Sequence, residues 1–166
     1  IPGLDQDVRT RLSTIEQQAA ETTAALRDSL RTLSAPPEQV ALGVALREHC
    51  RAFSDRTTIT AQVITLTELP TLPRSHIQAL ADAVREALLN VEKHARAHSV
   101  VISIFTLRGG VAVTVSDDGV GLGDGHTRGT GLGLASTFDR LARIGGSLAV
   151  APNDDDGVTV QAWVPA

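Results

Sequence analysis

Hydrophobic residues in the first third of the chain recur at alternating spacings of four and three, as along one side of a long helix. The seam consists of Val8, Leu12, Ile15, Ala19, Thr22, Leu26, Ser29 and Leu33, and it is thin because Ala, Thr and Ser occupy three of its eight positions. Charged residues mostly lie off this seam, which is typical of a heptad pattern. Because a lone helix cannot bury its own stripe, we expect intermolecular pairing in a helical bundle; folding back onto its own domain would serve the same purpose.

The pattern changes at Pro36-Pro37, because the residue before a proline is pushed away from helical angles. This pair predicts a boundary between residues 1–35 and a domain at 36–166. In the domain, spacing and composition predict the following elements. They are helices at 37–54, 74–97 and 134–144, and strands at 58–66, 100–107, 111–116, 147–151 and 158–164. Paired strands interrupted by helices indicate an α+β fold, with a mixed sheet and helices on one face.

Composition narrows the functional classes. The 166 residues carry a net charge of −4 with no basic block, which disfavours nucleic acid as a partner. Aromatic residues make up only 2% of the chain, so the core must consist of Ala, Leu, Val and Ile. The single cysteine, Cys50, cannot form an internal disulfide, and no apolar run is long enough to span a membrane. We expect a soluble cytoplasmic domain, and the absence of methionine suggests a piece of a larger protein, for which a membrane anchor stays open.

A polar stripe on the helix at 74–97 is the first candidate site. Glu86, Asn90 and Lys93 are spaced by four and three and lie opposite the apolar face. Most such stripes are simply solvated helix surfaces. A carboxylate beside a carboxamide oxygen can nevertheless hold Mg²⁺, and a lysine one turn away can meet phosphates that share the metal. His94 could contact phosphate or be a structural histidine.

The second candidate is a glycine-rich stretch after the strand at 111–116. Asp117 and Asp118 end that strand and precede Gly119 and Gly121. A buried aspartate there can accept a hydrogen bond from an exocyclic amine, and glycines allow a ligand to approach the backbone. Gly129-Thr-Gly-Leu-Gly-Leu134 then leads into a helix, where free N–H groups favour an anion. We interpret the residues between Gly121 and Gly129 as a short lid. A Rossmann fingerprint fits poorly, because a loop precedes these glycines and the flanking strands come as hairpins, and a Walker A loop is excluded by the absence of Gly-Lys-Ser/Thr.

Together these segments resemble the GHKL ATPase superfamily, which includes gyrase, a heat-shock chaperone, a mismatch-repair ATPase and the histidine kinases. The resemblance covers residues 37–166. Residues 85–95 resemble the N box of histidine kinases, 117–121 the G1 box and 129–134 the G2 box. The Lys93-His94 pair and the Gly-Leu-Gly-Leu run point to sensor histidine kinases, and the short lid without an obvious F box resembles the subfamily that works with LuxR-type response regulators. The family fold is a two-layer sandwich of a mixed five-stranded sheet and three helices, preceded here by the N-terminal helix.

The resemblance also implies roles for individual residues. Asn90 would ligate Mg²⁺ on the ATP phosphates, and Glu86 would orient the metal or activate the acceptor. Lys93 would contact phosphate, and Asp117 would bind the adenine amine. The other implied nucleotide-binding residues are Gly119, Gly121, Gly129, Gly131, Leu132, Gly133 and His94. Val158 stands where the family often has threonine, so the resemblance assigns no secure role to Thr159.

The implied activity is transfer of the ATP γ-phosphoryl group to a histidine on a helical dimerisation domain, for relay to a response regulator by a homodimeric kinase. The acceptor histidine in such kinases is typically followed by Asp or Glu. The residues after His49, His76, His94, His98 and His126 are Cys, Ile, Ala, Ser and Thr. We therefore expect residues 1–35 to be only the second helix of that domain, without the acceptor. An anti-sigma-factor-like serine kinase, a non-catalytic nucleotide-binding module and a coiled-coil adaptor are the alternatives.

Overall fold

The computed structural model describes residues 37–121 and 132–166. The chain divides into two units between Pro36 and Pro37, and only the second is described here. The predicted N-terminal helix, the lid, and the G2-box residues Gly129 and Gly131 lie outside the described residues.

Helices and strands follow one another in the predicted order. The helices are α1 (Pro37–Arg56), α2 (Arg74–Asn90) and α3 (Leu132–Ala142), and the π-helical turn Val91–Ala95 follows α2 directly. The strands are β1 (Thr60–Thr65), β2 (Ser99–Leu107), β3 (Gly110–Asp117), β4 (Ser147–Pro152) and β5 (Val158–Pro165). The bounds differ from the predicted ones by a few residues. None of the helices in these ranges is long and apolar enough to cross a membrane.

The strands form one five-stranded sheet in the order β1-β2-β3-β5-β4. β1 pairs with β2 in parallel, as the α2 crossover between them requires, and the other pairs are antiparallel. The predicted α+β fold with a mixed sheet is confirmed. Because β5 pairs with both β3 and β4, the β4–β5 turn lies near the end of β3.

The core lies between the sheet and the helices, and it is made of aliphatic side chains as composition predicted. Val100, Ile102 and Ile104 of β2 are almost completely buried and alternate with partly exposed neighbours. From α2, Leu80 and Val84 are equally buried. Since paired residues point to the same face of a sheet, the pairing of Val100 with Asp117 places that carboxylate on the core side. The sheet thereby delivers one acidic side chain to the edge of the helical layer.

The end of α2 departs from the prediction of a regular helix to residue 97. The α-helix ends at Asn90, and the next five residues form a π turn with Val91 and Ala95 buried. Arg96 then adopts a left-handed conformation with φ of 51°, which ends the helix. Single π turns inside helices occur frequently at functional sites.

Candidate nucleotide-binding site

Asp117, the last residue of β3, is buried with only 6% of its surface exposed. Its carboxylate accepts the backbone N–H of Gly119 at 2.9 Å and that of Val158. Burial raises the pKa of Asp117, while these two hydrogen bonds oppose the rise. A carboxylate carries more acceptor sites than two N–H groups fill, so Asp117 can accept another hydrogen bond from a ligand.

Asp118 has a different environment although it is the next residue. Its carboxylate accepts the N–H of His98 at 2.7 Å, the N–H of Ser99 at 2.9 Å and the Ser99 hydroxyl at 2.8 Å. The hydrogen bonds from Ser99, and then the one from His98, lower the pKa of Asp118 to about 2. Asp118 therefore attaches the end of β3 to the start of β2. The sequence assigned it no role, because such a long-range bond leaves no local signal.

The glycines after the aspartates permit two close backbone contacts. A Cβ atom at Gly119 would overlap the carbonyl oxygen of Ala95, and Val120 donates its N–H to that same oxygen at 2.8 Å. Gly121 has φ of +73° and faces the carbonyl of Asp156, where a Cβ atom would clash. The turn after β3 is thus held between the π turn and the β4–β5 turn. These glycines are required for backbone packing, independently of any ligand.

The polar stripe of α2 lies partly at the surface. Glu86 and Asn90 are half-buried, while Lys93 and His94 are exposed on the π turn. Hydrogen bonds in a π turn reach one residue further than in an α-helix, so each turn holds an extra residue. In such a turn, the side chain four residues after a given residue lies closer to the same side of the helix than the side chain three residues after it. The π turn therefore favours His94 over Lys93 as the neighbour of Asn90 along this side.

The start of α3 meets the same stripe. A Cβ atom at Gly133 would overlap the carboxylate of Glu86, so the G2-box glycine and the N-box glutamate are in direct proximity. Thr137 donates its hydroxyl to the carbonyl of Gly133 at 2.9 Å, one turn further along the helix. Leu132 begins α3, but its side chain is outside the described part of the chain.

Thr159 faces away from the site. It pairs with Ser116, which neighbours Asp117 in β3 and points to the opposite side of the sheet, and the two hydroxyls are hydrogen-bonded. Val158 therefore occupies the position beside Asp117, to which it donates its N–H. The sheet register separates the Thr159 hydroxyl from the buried carboxylate, which agrees with leaving Thr159 unassigned.

The donor set has the chemistry that Mg²⁺ uses when it is shared with phosphates. Within residues 37–121 and 132–166, no cluster of three or more His, Cys, Asp and Glu side chains could hold a metal alone. Mg²⁺ is usually bound by one or two protein oxygens, together with phosphate oxygens and water. The buried amide nitrogen of Asn90 has no hydrogen-bond partner among the described residues, and the oxygen of the same amide is the atom that could serve as a ligand. Glu86 and Asn90 thus fit such a metal.

Comparison with known proteins places this geometry in a family. Residues 75–166 match the family model for the histidine kinase-, DNA gyrase B- and HSP90-like ATPases. The sensor histidine kinase MctS of Rhizobium johnstonii is 31% identical over 131 residues, covering 77% of this chain and 28% of that protein. The nitrate/nitrite sensor protein NarQ of Escherichia coli is 29% identical over 163 residues, covering 96% of this chain and 28% of that protein.

A solved structure supports the fold. The histidine kinase domain of the blue-light activated histidine kinase of Erythrobacter litoralis EL346 superimposes with a TM-score of 0.62 at 24% identity, covering 80% of this chain and 64% of that one. The chain spans about 28% of the length of the two curated relatives above. The N-box and G1-box segments both fall within residues 75–166, which the family model matches. The chain therefore belongs to the family of histidine kinase-, DNA gyrase B- and HSP90-like ATPases.

Proposed function

We propose that this chain is the ATP-binding catalytic domain of a sensor histidine kinase. It would transfer the γ-phosphoryl group of ATP to a histidine on the helical dimerisation domain of its parent protein. One observation carries the proposal: α2 and its π turn touch both the turn that follows the buried Asp117 and the first residues of α3. The carboxylate suited to adenine and the polar stripe suited to phosphate are thus carried by elements that contact one another, which supports a single nucleotide site.

Each residue has a distinct part in this mechanism. Asp117 would accept a hydrogen bond from the adenine amine, because its buried carboxylate is fixed by backbone donors. Asn90 and Glu86 would hold Mg²⁺, which when bound neutralises charge on the phosphates. Lys93 and His94 would contact the phosphates, and Glu86 would also orient the metal or activate the acceptor. Positioning and charge neutralisation would supply most of the rate enhancement.

Binding of ATP is tested by calorimetry on this chain. We expect ATP with Mg²⁺ to bind and GTP with Mg²⁺ to bind far more weakly, since guanine lacks an amine at the position that Asp117 would read. Asp117→Asn should weaken ATP binding about tenfold to a hundredfold, because one buried acceptor is lost. Asp154→Asn, which removes an exposed carboxylate from the β4–β5 turn, is the control and should bind as the wild type does. Unchanged affinity in Asp117→Asn would refute the role of that carboxylate.

The acceptor distinguishes a histidine kinase from a serine kinase of the same fold. The chain is incubated with γ-labelled ATP and a dimerisation domain that contains the acceptor histidine. Phosphohistidine is labile in acid and stable in base, whereas phosphoserine behaves the other way. Acid-labile label supports the proposal, and nucleotide binding without any transfer would favour a regulatory module instead.

The names of the relatives support a wider proposal about the parent protein. NarQ, NarX and DegS are named as sensor proteins or as a signal transduction kinase/phosphatase. We propose that the parent protein acts as a homodimer, that a LuxR-type response regulator receives the phosphoryl group, and that this domain operates in the cytoplasm. Phosphotransfer from the labelled parent kinase to purified regulators of different types would test the partner.

A further inference from the structure

Asn153 organises the turn between β4 and β5. Its side-chain oxygen accepts the N–H of Asp155 at 3.1 Å and that of Gly157 at 2.9 Å. Its own backbone N–H donates to the carbonyl of Gly157 at 3.1 Å. Both ends of the turn are therefore joined through one residue.

The other half of the same amide reaches a different strand. The side-chain nitrogen of Asn153 donates to the backbone carbonyl of Asp117 at 2.9 Å and lies 3.4 Å from the hydroxyl of Ser116. Gly157 packs so closely against the Asp117 carbonyl that a Cβ atom would overlap it. The next residue, Val158, donates its N–H to the Asp117 carboxylate. The β4–β5 turn is thus hydrogen-bonded to Asp117, whose carboxylate is the candidate group for recognising adenine.

We propose that Asn153 is a positioning residue for nucleotide recognition, acting through Asp117. The inference rests on the proposed function, in which Asp117 reads the adenine amine. One amide performs two tasks: its oxygen closes the turn, and its nitrogen holds the Asp117 backbone against that turn. The Asp117 carboxylate is then held in one position, where it accepts the N–H groups of Gly119 and Val158.

The two tasks can be separated with one nearly isosteric substitution. Asn153→Asp keeps an acceptor for the turn and removes the donor to Asp117. Asp154→Asn in the same protein restores the net charge of the turn, so the double variant differs from the wild type in that donor and in the position of one negative charge, which now lies beside the Asp117 carbonyl. Asp154→Asn alone is the matched control, and the melting temperature without nucleotide shows whether each variant is folded.

The first measurement needs no nucleotide. Amide hydrogen exchange is followed at Gly119 and Val158, whose N–H groups donate to the Asp117 carboxylate. In the double variant we expect exchange at both amides to accelerate about fivefold or more, while the control matches the wild type. Exchange that is the same in all three proteins would overturn the proposal.

The second measurement compares the affinity for ATP with that for purine riboside triphosphate, which lacks the exocyclic amine. A misplaced Asp117 loses its advantage only for the ligand with the amine, so the preference for ATP should fall about fivefold in the double variant. An equal weakening of both ligands would mean that Asn153 is merely structural and would overturn the proposal. Failure of the wild type to bind ATP would instead refute the proposed function, and the exchange data would still test whether Asn153 positions Asp117.

Discussion

Two adjacent aspartates at the end of β3 illustrate how position decides chemistry at the scale of a residue. Asp117 points to the buried side of the sheet, and its pKa is raised by the loss of solvent. Asp118 points outward and collects three donors from the start of β2, which lower its pKa. The same side chain thus becomes a candidate ligand reader in one place and a structural anchor in the next.

Stability should depend on pH through Asp118. Its folded-state pKa of about 2 is below the ordinary value of 3.8, so its contribution is complete above about pH 4 and is lost as the pH falls through 2. We expect Asp118→Asn to lower the Tm at pH 6, because the variant loses a charged acceptor for three hydrogen bonds. The decrease should be only about 2–4 °C, because solvent screens this exposed group. Melting curves from pH 6 to pH 2 should show the wild type and the variant converging in acid. A difference that stays constant across this range would contradict the assignment.

Gly133→Ala should separate activity from stability. The new methyl group would displace the Glu86 carboxylate, which is the flexible end of a side chain, so folding should change little. We expect Tm within a few degrees of the wild type but phosphoryl transfer to the dimerisation domain reduced about tenfold or more. Gly43→Ala in α1 is the control, because its Cβ atom would make only ordinary contact with Arg47. Wild-type transfer in Gly133→Ala would exclude a catalytic dependence on this contact.

At the scale of helices and strands, α2 is the helix that contacts most of the other parts of the candidate site. It packs against α1 and α3 and against β3 and β5, and its π turn carries the carbonyl of Ala95 to the turn after β3. Salt bridges extend these connections, from Asp82 to Arg140 of α3 and from Glu92 of the π turn to Arg56 of α1. Among the described helices, α2 therefore packs against the most other elements, and it carries the polar stripe, which suits a site that needs rigid support.

The salt bridge between α2 and α3 should contribute modestly. Half of the Arg140 side-chain surface is exposed, against 19% for Asp82, so solvent screening limits the attraction. A double-mutant cycle with Asp82→Ala and Arg140→Ala should give a coupling energy of about 0.2–1 kcal/mol, falling at high salt. Urea unfolding at 50 mM and 1 M NaCl measures both quantities. A larger, salt-independent coupling would indicate a buried interaction that the structure does not contain.

For the molecule as a whole, the aliphatic core supports the candidate nucleotide site without forming it. Leu80 of α2 is completely buried, on the side of the helix opposite the polar stripe. Leu66, which follows β1, leaves 60% of its surface exposed. This separation predicts that stability and nucleotide affinity respond to different substitutions.

Leu80→Ala should reduce the free energy of unfolding by about 2–5 kcal/mol, because it leaves a cavity in the core. Its affinity for ATP, measured by calorimetry below the melting transition, should stay close to that of the wild type. Leu66→Ala removes the same atoms at an exposed position and should change the unfolding free energy by about 0.5 kcal/mol or less. Similar losses in the two variants would show that the assigned core is wrong.

The sequence by itself determined much of this protein. Hydrophobic periodicity, together with prolines and glycines at the ends of segments, predicted the order and type of the helices and strands in residues 37–166. Three motifs in a fixed order predicted the family. These signals are local, and a fold with short connections and alternating patterns leaves them visible in one sequence. The burial of Asp117 at a strand end was predicted on the same grounds.

Only the tertiary structure decided which groups touch one another. The π turn after Asn90, the bonds from His98 and Ser99 to Asp118, and the amide of Asn153 on Asp117 depend on how separate segments pack. The register between β3 and β5 likewise placed Thr159 on the far side of the sheet from Asp117. Such hydrogen bonds join residues about 20 to 40 positions apart, so no local sequence pattern records them. Strand register is equally invisible locally, although a shift of one residue moves every side chain of a strand to the other face of the sheet.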